Sequence, residues 1–434
     1  MPKMKRGSEI PHWFPLDVAG TIYPSARTRN WNYTYRSGFL LKEEVNPGLL
    51  RQALEDIHSR FPSFFVGVRN GLFWYYLERM ENLDIVRRES TYPCRPMNIF
   101  SRQSPAIRIL YDHRRFCLEI AHCVADGGAT LTMAKALLAR YLQLTGKEIP
   151  PDSGLTDLTE PPKPEELTDS YREFYVKKVG KPAPDANAWQ YRPPQVLNYL
   201  KVIHGILPLE DVLPAAKARG ITLTDYLMAV YLYAFYLAVP KSRRSSRQIK
   251  VSVPISLRNF FPTETLRNFS LFTNIGFDPR AKADFSFDDV LEAVKGKLAA
   301  AKTKEAMQKL LSSNVAMIQN PLVRLIPNVL KRRVLQIGYV LAGENKFTTP
   351  MTNLGRVTLP PGVAEHVEQV EGILGGSAQK RINCAMISDE RFLHIYFSGD
   401  TKRTEVQREF FRLLAREGIR ARVECNIREE EDVE

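Results

Sequence analysis

Ile120-Ala-His-Cys-Val-Ala-Asp-Gly-Gly128 closes a run in which Phe116, Leu118 and Ile120 alternate with Cys117, Glu119 and Ala121. A period of two predicts a β-strand. Carried one residue further, it turns the His122 side chain toward the interior. Gly127 and Gly128 allow a sharp backbone turn without a Cβ clash, and a helical pattern follows from about Thr130 to Leu144. A histidine at the mouth of an interior can take and return a proton near neutral pH, which is what general-base chemistry needs. Two plainer roles stand beside this one. A lone strand-end histidine is more often structural, and Asp126 equally suits the N-cap of the following helix. Cys123 invites a nucleophile reading, but adjacent strand residues point to opposite faces, so a small buried apolar residue fits it better.

Outward from this stretch the chain mixes strands and helices. Upstream, 33–41 reads as a strand. Asn46-Pro47 is an N-cap with proline at the first helical position, and Leu50, Leu54, Ile57 and Phe61 repeat at helical spacing. The segments 64–68 and 73–77 flank Arg69-Asn70-Gly71, a hairpin signal. Residues 107–111 pair with 116–121 and deliver His122. Downstream, strands are expected at 202–207, 249–255 and 269–277. Helices are expected at 211–218, 225–239 (with Thr224 as a candidate cap), 287–302 and 405–417. A second hairpin is expected around Ser388-Asp-Glu-Arg391. Pro-rich stretches at 161–164 and 181–194 read as an exposed connection and place a boundary near residue 190. The elements predict two α/β sandwiches, 1–190 and 191–434.

Composition narrows the classes. The 434 residues are 44% hydrophobic and 25% charged, ordinary for a globular chain with real cores. Five cysteines without metal-type spacing suggest neither zinc nor a disulfide framework, and a reducing cytoplasm fits them best. The basic N-terminus lacks the apolar core of a signal peptide. The longest apolar run, 226–239, falls short of the roughly 20 residues of a membrane span. The net charge of +13 asks for an acidic partner: a phosphorylated cofactor, an acidic carrier protein or an anionic membrane surface. No nucleic-acid-binding motif is present, and the basic residues are spread along the chain. Arg243-Arg244-Ser-Ser-Arg247 is a candidate loop for the phosphates of such a cofactor, though surface loops are commonly basic. Residues 322–341 mix Leu, Ile and Val with Arg324, Lys331, Arg332 and Arg333. A packed helix with a charged outer face, broken at Pro327, is the expected form; a peripheral membrane contact is the alternative. The acidic tail 429–434 is expected to be solvated.

His122-x-x-x-Asp126-Gly127 resembles the active-site motif of the CoA-dependent acyltransferase superfamily, which includes chloramphenicol acetyltransferase, peptide-synthetase condensation domains and alcohol acetyltransferases. Three further segments carry the resemblance: 50–62, Val253-Pro-Ile-Ser-Leu-Arg258 with Asn268-Phe269, and Thr352-Asn-Leu-Gly355. The likeness spans nearly the whole chain, with the flavour of bacterial alcohol acetyltransferase-like proteins. One departure is that Ala121 stands where many members carry a first histidine. The resemblance implies two chloramphenicol-acetyltransferase-like lobes with a tunnel between them and His122 as general base. It implies that Asp126 pairs with an arginine of the second half, for which Arg258 is the candidate. Gly127 and Gly128 serve the turn and leave room for substrate. Thr352 and Asn353 are candidate donors to an oxyanion or the acceptor. The implied reaction moves an acyl group from acyl-CoA, a co-substrate rather than a resident cofactor, to an alcohol or amine acceptor. Its rivals are a free-standing condensation enzyme that takes carrier-protein-bound substrates and a non-catalytic binding protein of the same fold.

Overall fold

In the computed structural model, which describes residues 10–28, 31, 33–150, 154–193, 196–239, 247–377 and 379–427, the alternating segment forms two antiparallel strands, Ile107–Asp112 and Arg115–Ala121. Thr34–Leu41 pairs with the second of them in register Thr34 to Ala121. The basic N-terminus 1–7, Arg243 and Arg244 of the basic loop, and the tail 429–434 lie outside the described residues. The full five-stranded sheet runs Val367–Leu374, Thr34–Leu41, Arg115–Ala121, Ile107–Asp112, Val86–Arg88. Its first strand comes from late in the chain, so the first lobe is not built from residues before 190 alone.

The Pro47–His58 helix forms where expected. Asn46 Oδ1 accepts from the N–H groups of Gly48 and Leu49, with Pro47 in the first turn. It buries Leu50, Ala53, Leu54 and Ile57 against the Gly127–Leu144 helix and the sheet. Each large aliphatic side chain so buried contributes about 1.5–3 kcal/mol. The hairpin around Asn70 joins Val66–Asn70 to Tyr75–Arg79 and takes Trp13–Pro15 as a third strand.

A seven-stranded sheet carries the second lobe, in the order Ser270–Phe277, Ile249–Ser256, Thr349–Arg356, Asn383–Ser388, Phe392–Thr401, Val196–Pro208, Arg422–Cys425. Thr349–Arg356 is parallel to both neighbours. The apolar run forms the Leu223–Ala238 helix, buried on nearly every face in the second core. Its cap is Thr222, whose hydroxyl accepts from Asp225 N–H, rather than Thr224. Among the described residues no single helix is long and apolar enough to cross a membrane.

Two expected helices are interrupted. The pattern at 287–302 splits into Phe287–Val294 and Lys297–Ala301 because Gly296 adopts φ +72°, outside the right-handed region. The pattern at 322–341 splits into Pro321–Leu325 and Asn328–Ala342 at Pro327; Arg324 and Arg333 face outward as expected, but the apolar side is not packed inward. Lys331 is buried, while Leu330, Val334, Ile337 and Leu341 face outward.

Candidate active site

Strand pairing ends at Ala121, and His122 occupies the turn that follows. Its backbone N–H donates to the Tyr33 carbonyl at 3.0 Å. Tyr33 itself has φ +56°, a conformation that bulky residues rarely adopt and that costs about 1–3 kcal/mol. The partly buried imidazole stacks on Tyr23, with centroids 4.6 Å apart, and is flanked by Tyr35 at 5.0 Å. Burial holds all three of these tyrosine phenols above their usual range, so they stay protonated.

The ring is oriented by residues far away in sequence. His122 Nδ1 lies 3.1 Å from Asn268 Oδ1, and Asn268 Nδ2 donates to Asp17 Oδ2 at 3.1 Å. The other Asp17 oxygen accepts from Gly20 N–H at 2.6 Å, and Arg267 stands 3.5 Å from the carboxyl. Both Asp17 oxygens therefore act as acceptors, which turns the Asn268 carbonyl toward the imidazole. His122 must then carry its proton on Nδ1, leaving the Nε2 lone pair free. Burial lowers the His122 pKa below its ordinary 6.5; its own carbonyl, Asp126, Asn268 and Asp17 pull the other way. The neutral, base-competent ring thus prevails at neutral pH. Asp17, wholly buried, is itself raised by desolvation, with Arg267 and the Gly20 N–H opposing. The turn carrying Asp17 lies hard against the histidine turn: a Cβ on Gly20 would come within 2.9 Å of the Cys123 carbonyl oxygen.

Both carboxylate oxygens of Asp126 bond groups other than His122. Its Oδ1 accepts from Ala129 N–H, which caps the Gly127–Leu144 helix. Its Oδ2 meets Arg258 Nη1 at 2.7 Å and the Phe269 N–H at 2.8 Å. Arg258 also donates to the carbonyls of Thr265 and Arg267. The cap, the ion pair and the residues flanking Asn268 therefore form one connected unit.

The helix begins at Gly127 rather than Thr130, and neither Gly127 nor Gly128 has positive φ. The space beside Gly127 belongs to Leu354, whose Cδ2 would lie 2.6 Å from an added Cβ. Gly128 is exposed. Leu354 brings the end of Thr349–Arg356 against the histidine-bearing loop. Asn353, however, spends its side chain on Thr224 and the Gly355 N–H and not on His122. Thr352 is half-buried in the same strand.

Cys123 is buried, and burial pushes its thiol up to about 12. All five cysteines are free, and Cys425 alone is exposed. Alkylation of the native protein with iodoacetamide is expected to label Cys425 and spare Cys123, as read by peptide mass spectrometry; rapid labelling of Cys123 would reopen a covalent route. Among the described residues no group of three or more His, Cys, Asp or Glu is arranged to hold a metal ion.

Sequence reasoning missed Asp17, Tyr23 and the role of Asn268. The only signal for Asp17 was an acid inside the apolar segment Phe14-Pro-Leu-Asp17-Val-Ala.

No protein-family model and no curated protein matches the chain in sequence. Solved structures match it over nearly its whole length. One is polyketide synthase associated protein 5 from Mycobacterium tuberculosis, at 14% identity and TM-score 0.60, covering 94% of this chain and 98% of that one. Another is TRI101 from Fusarium sporotrichioides, complexed with coenzyme A and T-2, at 8% identity and TM-score 0.63, covering 94% and 99%. A third is the first condensation domain of the CDA synthetase, at 14% identity and TM-score 0.57, covering 93% and 96%. At these identities the likeness is one of fold.

Proposed function

We propose that this chain, which has the two-lobed chloramphenicol-acetyltransferase-like fold of the CoA-dependent acyltransferase superfamily, is itself an acyltransferase. It moves an acyl group from a CoA thioester to an alcohol, with His122 as general base and no covalent intermediate. The lobes are taken as 1–190 and 191–434, with Val367–Leu374 crossing to the first and the tunnel between them holding His122. The observation that carries this reading is the Asp17–Asn268–His122 chain, which leaves Nε2 unprotonated.

In the proposed reaction Nε2 takes the proton of the acceptor hydroxyl as its oxygen attacks the thioester carbonyl. The tetrahedral intermediate then expels the thiolate, which recovers the proton from Nε2. The imidazolium formed in between is stabilised by Asn268 and by the negative charges of Asp126 and Asp17, all of which favour the charged ring. Because the Asn353 amide is already engaged, Thr352 is the proposed donor to the oxyanion. Support for a CoA donor comes from TRI101, solved with coenzyme A. Support for the rival, a carrier-bound donor, comes from the condensation-domain neighbours and the net charge of +13.

The test is thiol release from a panel of acyl-CoAs mixed with alcohol and amine acceptors. Acceptor-dependent release supports the reading, and the active acceptor names the subclass. Silence with every CoA, but turnover of a carrier-bound thioester, would transfer the chain to the condensation class; silence with both would leave a binding protein.

Asn268→Ala separates positioning from mere structure. It is expected to lower kcat by about 10- to 100-fold, the scale of a misplaced catalytic group. It should also move the acidic limb of the pH profile to lower pH, because Asn268 raises the His122 pKa. A drop in rate with an unmoved limb would mean Asn268 only holds the lobes together.

A further inference from the structure

We propose that the helices Pro321–Leu325 and Asn328–Ala342 form a docking face for an anionic lipid surface. Leu322 and Leu325 on the first helix, and Leu330, Val334, Ile337 and Leu341 on the second, are each 58–77% exposed. The last four recur at spacings of four, three and four, so they form one stripe along the helix. The stripe faces away from the protein. The inner side is fastened by polar groups: Asn328 N–H donates to the Leu72 carbonyl, and Lys331 Nζ donates to the Phe73 carbonyl while lying 3.5 Å from the Trp74 ring centre. A lysine is buried and leucines are exposed, the reverse of what a solvated helix does. Contiguous exposed apolar surface of this kind marks a contact face. Leu72, 74% exposed, extends it onto the neighbouring hairpin.

Charge selects the occupant. From 306 to 343 the chain carries Lys309, Arg324, Lys331, Arg332 and Arg333 and no Asp or Glu, and Arg324 and Arg333 are exposed. A second copy docked symmetrically would bring these arginines together with no acid to answer them. Large aliphatic residues flanked by arginine are the composition of helices that lie in the headgroup region of an anionic bilayer. The inner side of the same helix leads to the site: Tyr339 meets Tyr33, Tyr33 meets Tyr23, and Tyr23 stacks on His122. Docking would hold His122 beside lipid-borne substrate. That consequence rests on the acyl-transfer reading; the docking does not.

The experiment is flotation of the full chain with vesicles of phosphatidylcholine alone or mixed with phosphatidylglycerol. The wild type is expected to float with the anionic vesicles and to be released by salt. Leu330→Glu/Ile337→Glu, its milder form Leu330→Ser/Ile337→Ser, and Arg324→Glu/Arg333→Glu should each reduce partitioning at least ~10-fold, with unchanged thermal melts. Val423→Glu, at an exposed apolar residue of the other sheet, should change nothing. Three outcomes would overturn the proposal: no flotation at low salt, flotation indifferent to the Leu330 and Ile337 substitutions, or a wild-type dimer in sedimentation that those substitutions split. Because partitioning is read without turnover, its failure is distinct from failure of the proposed activity.

Discussion

His122→Ala is expected to remove about 10²- to 10⁴-fold of the thiol-release rate, the contribution of a positioned general base, while the protein still melts cooperatively. Among the described residues the ring's one side-chain hydrogen bond is to Asn268, and Tyr23 and Tyr35 keep their own burial. His122→Asn serves as a polar, smaller companion that can keep the Asn268 contact and still lacks Nε2. Retention of the rate within about threefold in both, a change too small for a lost proton-transfer step, would sink the assignment. The pH profile supplies an independent sign. With a pKa held below 6.5, the wild-type rate should be flat through neutrality and fall only on the acid side. The same shift links to stability. The folded protein favours the neutral ring, so this stabilisation is present above the unfolded value of 6.5 and is lost as pH falls through the lower folded value. An acid limb above 6.5 would contradict the buried-ring geometry.

The second large effect is on stability. Asp126→Ala is expected to cost about 3–5 kcal/mol, the range for breaking a buried pair from one side. It removes a helix cap, an acceptor for Phe269 N–H and the partner of Arg258 together. Arg258→Ala should cost less, because the Asp126 carboxylate then still accepts from the Ala129 and Phe269 N–H groups. The double variant should cost less than the sum, since either loss alone strands the other charge. Urea melts of the four proteins measure this directly. Single-variant losses below about 1 kcal/mol, the value of a surface pair, would remove the pair from its proposed role in fixing the histidine turn. Activity should fall in both variants. Asp126→Ala should also move the acid limb to lower pH, because Asp126 raises the His122 pKa.

Much of the fold was legible in the sequence. The strand before His122, the Asn46-capped helix, both hairpins and the buried Leu223–Ala238 helix rest on local signals. These are alternation, a cap residue beside proline, a turn dipeptide and an unbroken apolar run, and each is complete within a dozen residues. The periodicity at 287–302 does not show its break, because a single glycine can sit inside a helical pattern or end it, and only the φ of Gly296 decides. The pair Asp126 and Arg258 came from resemblance. Nothing in the spacing of two residues 132 apart would have joined them.

What the sequence determined by itself is the set of periodicities, and with them the element types, the α/β class and the place of His122 at a strand end. What the tertiary structure alone decided is which surfaces meet. Asp17 and Asn268 converge on His122 from 105 and 146 positions away, and Val367–Leu374 leaves its neighbours in sequence to complete the first lobe's sheet. The helix Asn328–Ala342 turns its leucines outward and its lysine inward. The physical reason is the same in each case. A periodic pattern fixes that a face is apolar, and a residue type fixes what bonds it can make, but neither carries information about its partner. Local backbone preference sets the elements, whereas the choice of contact is settled by the packing of the whole chain, in which a Trp74 ring and a Phe73 carbonyl hold Lys331 on the inner side.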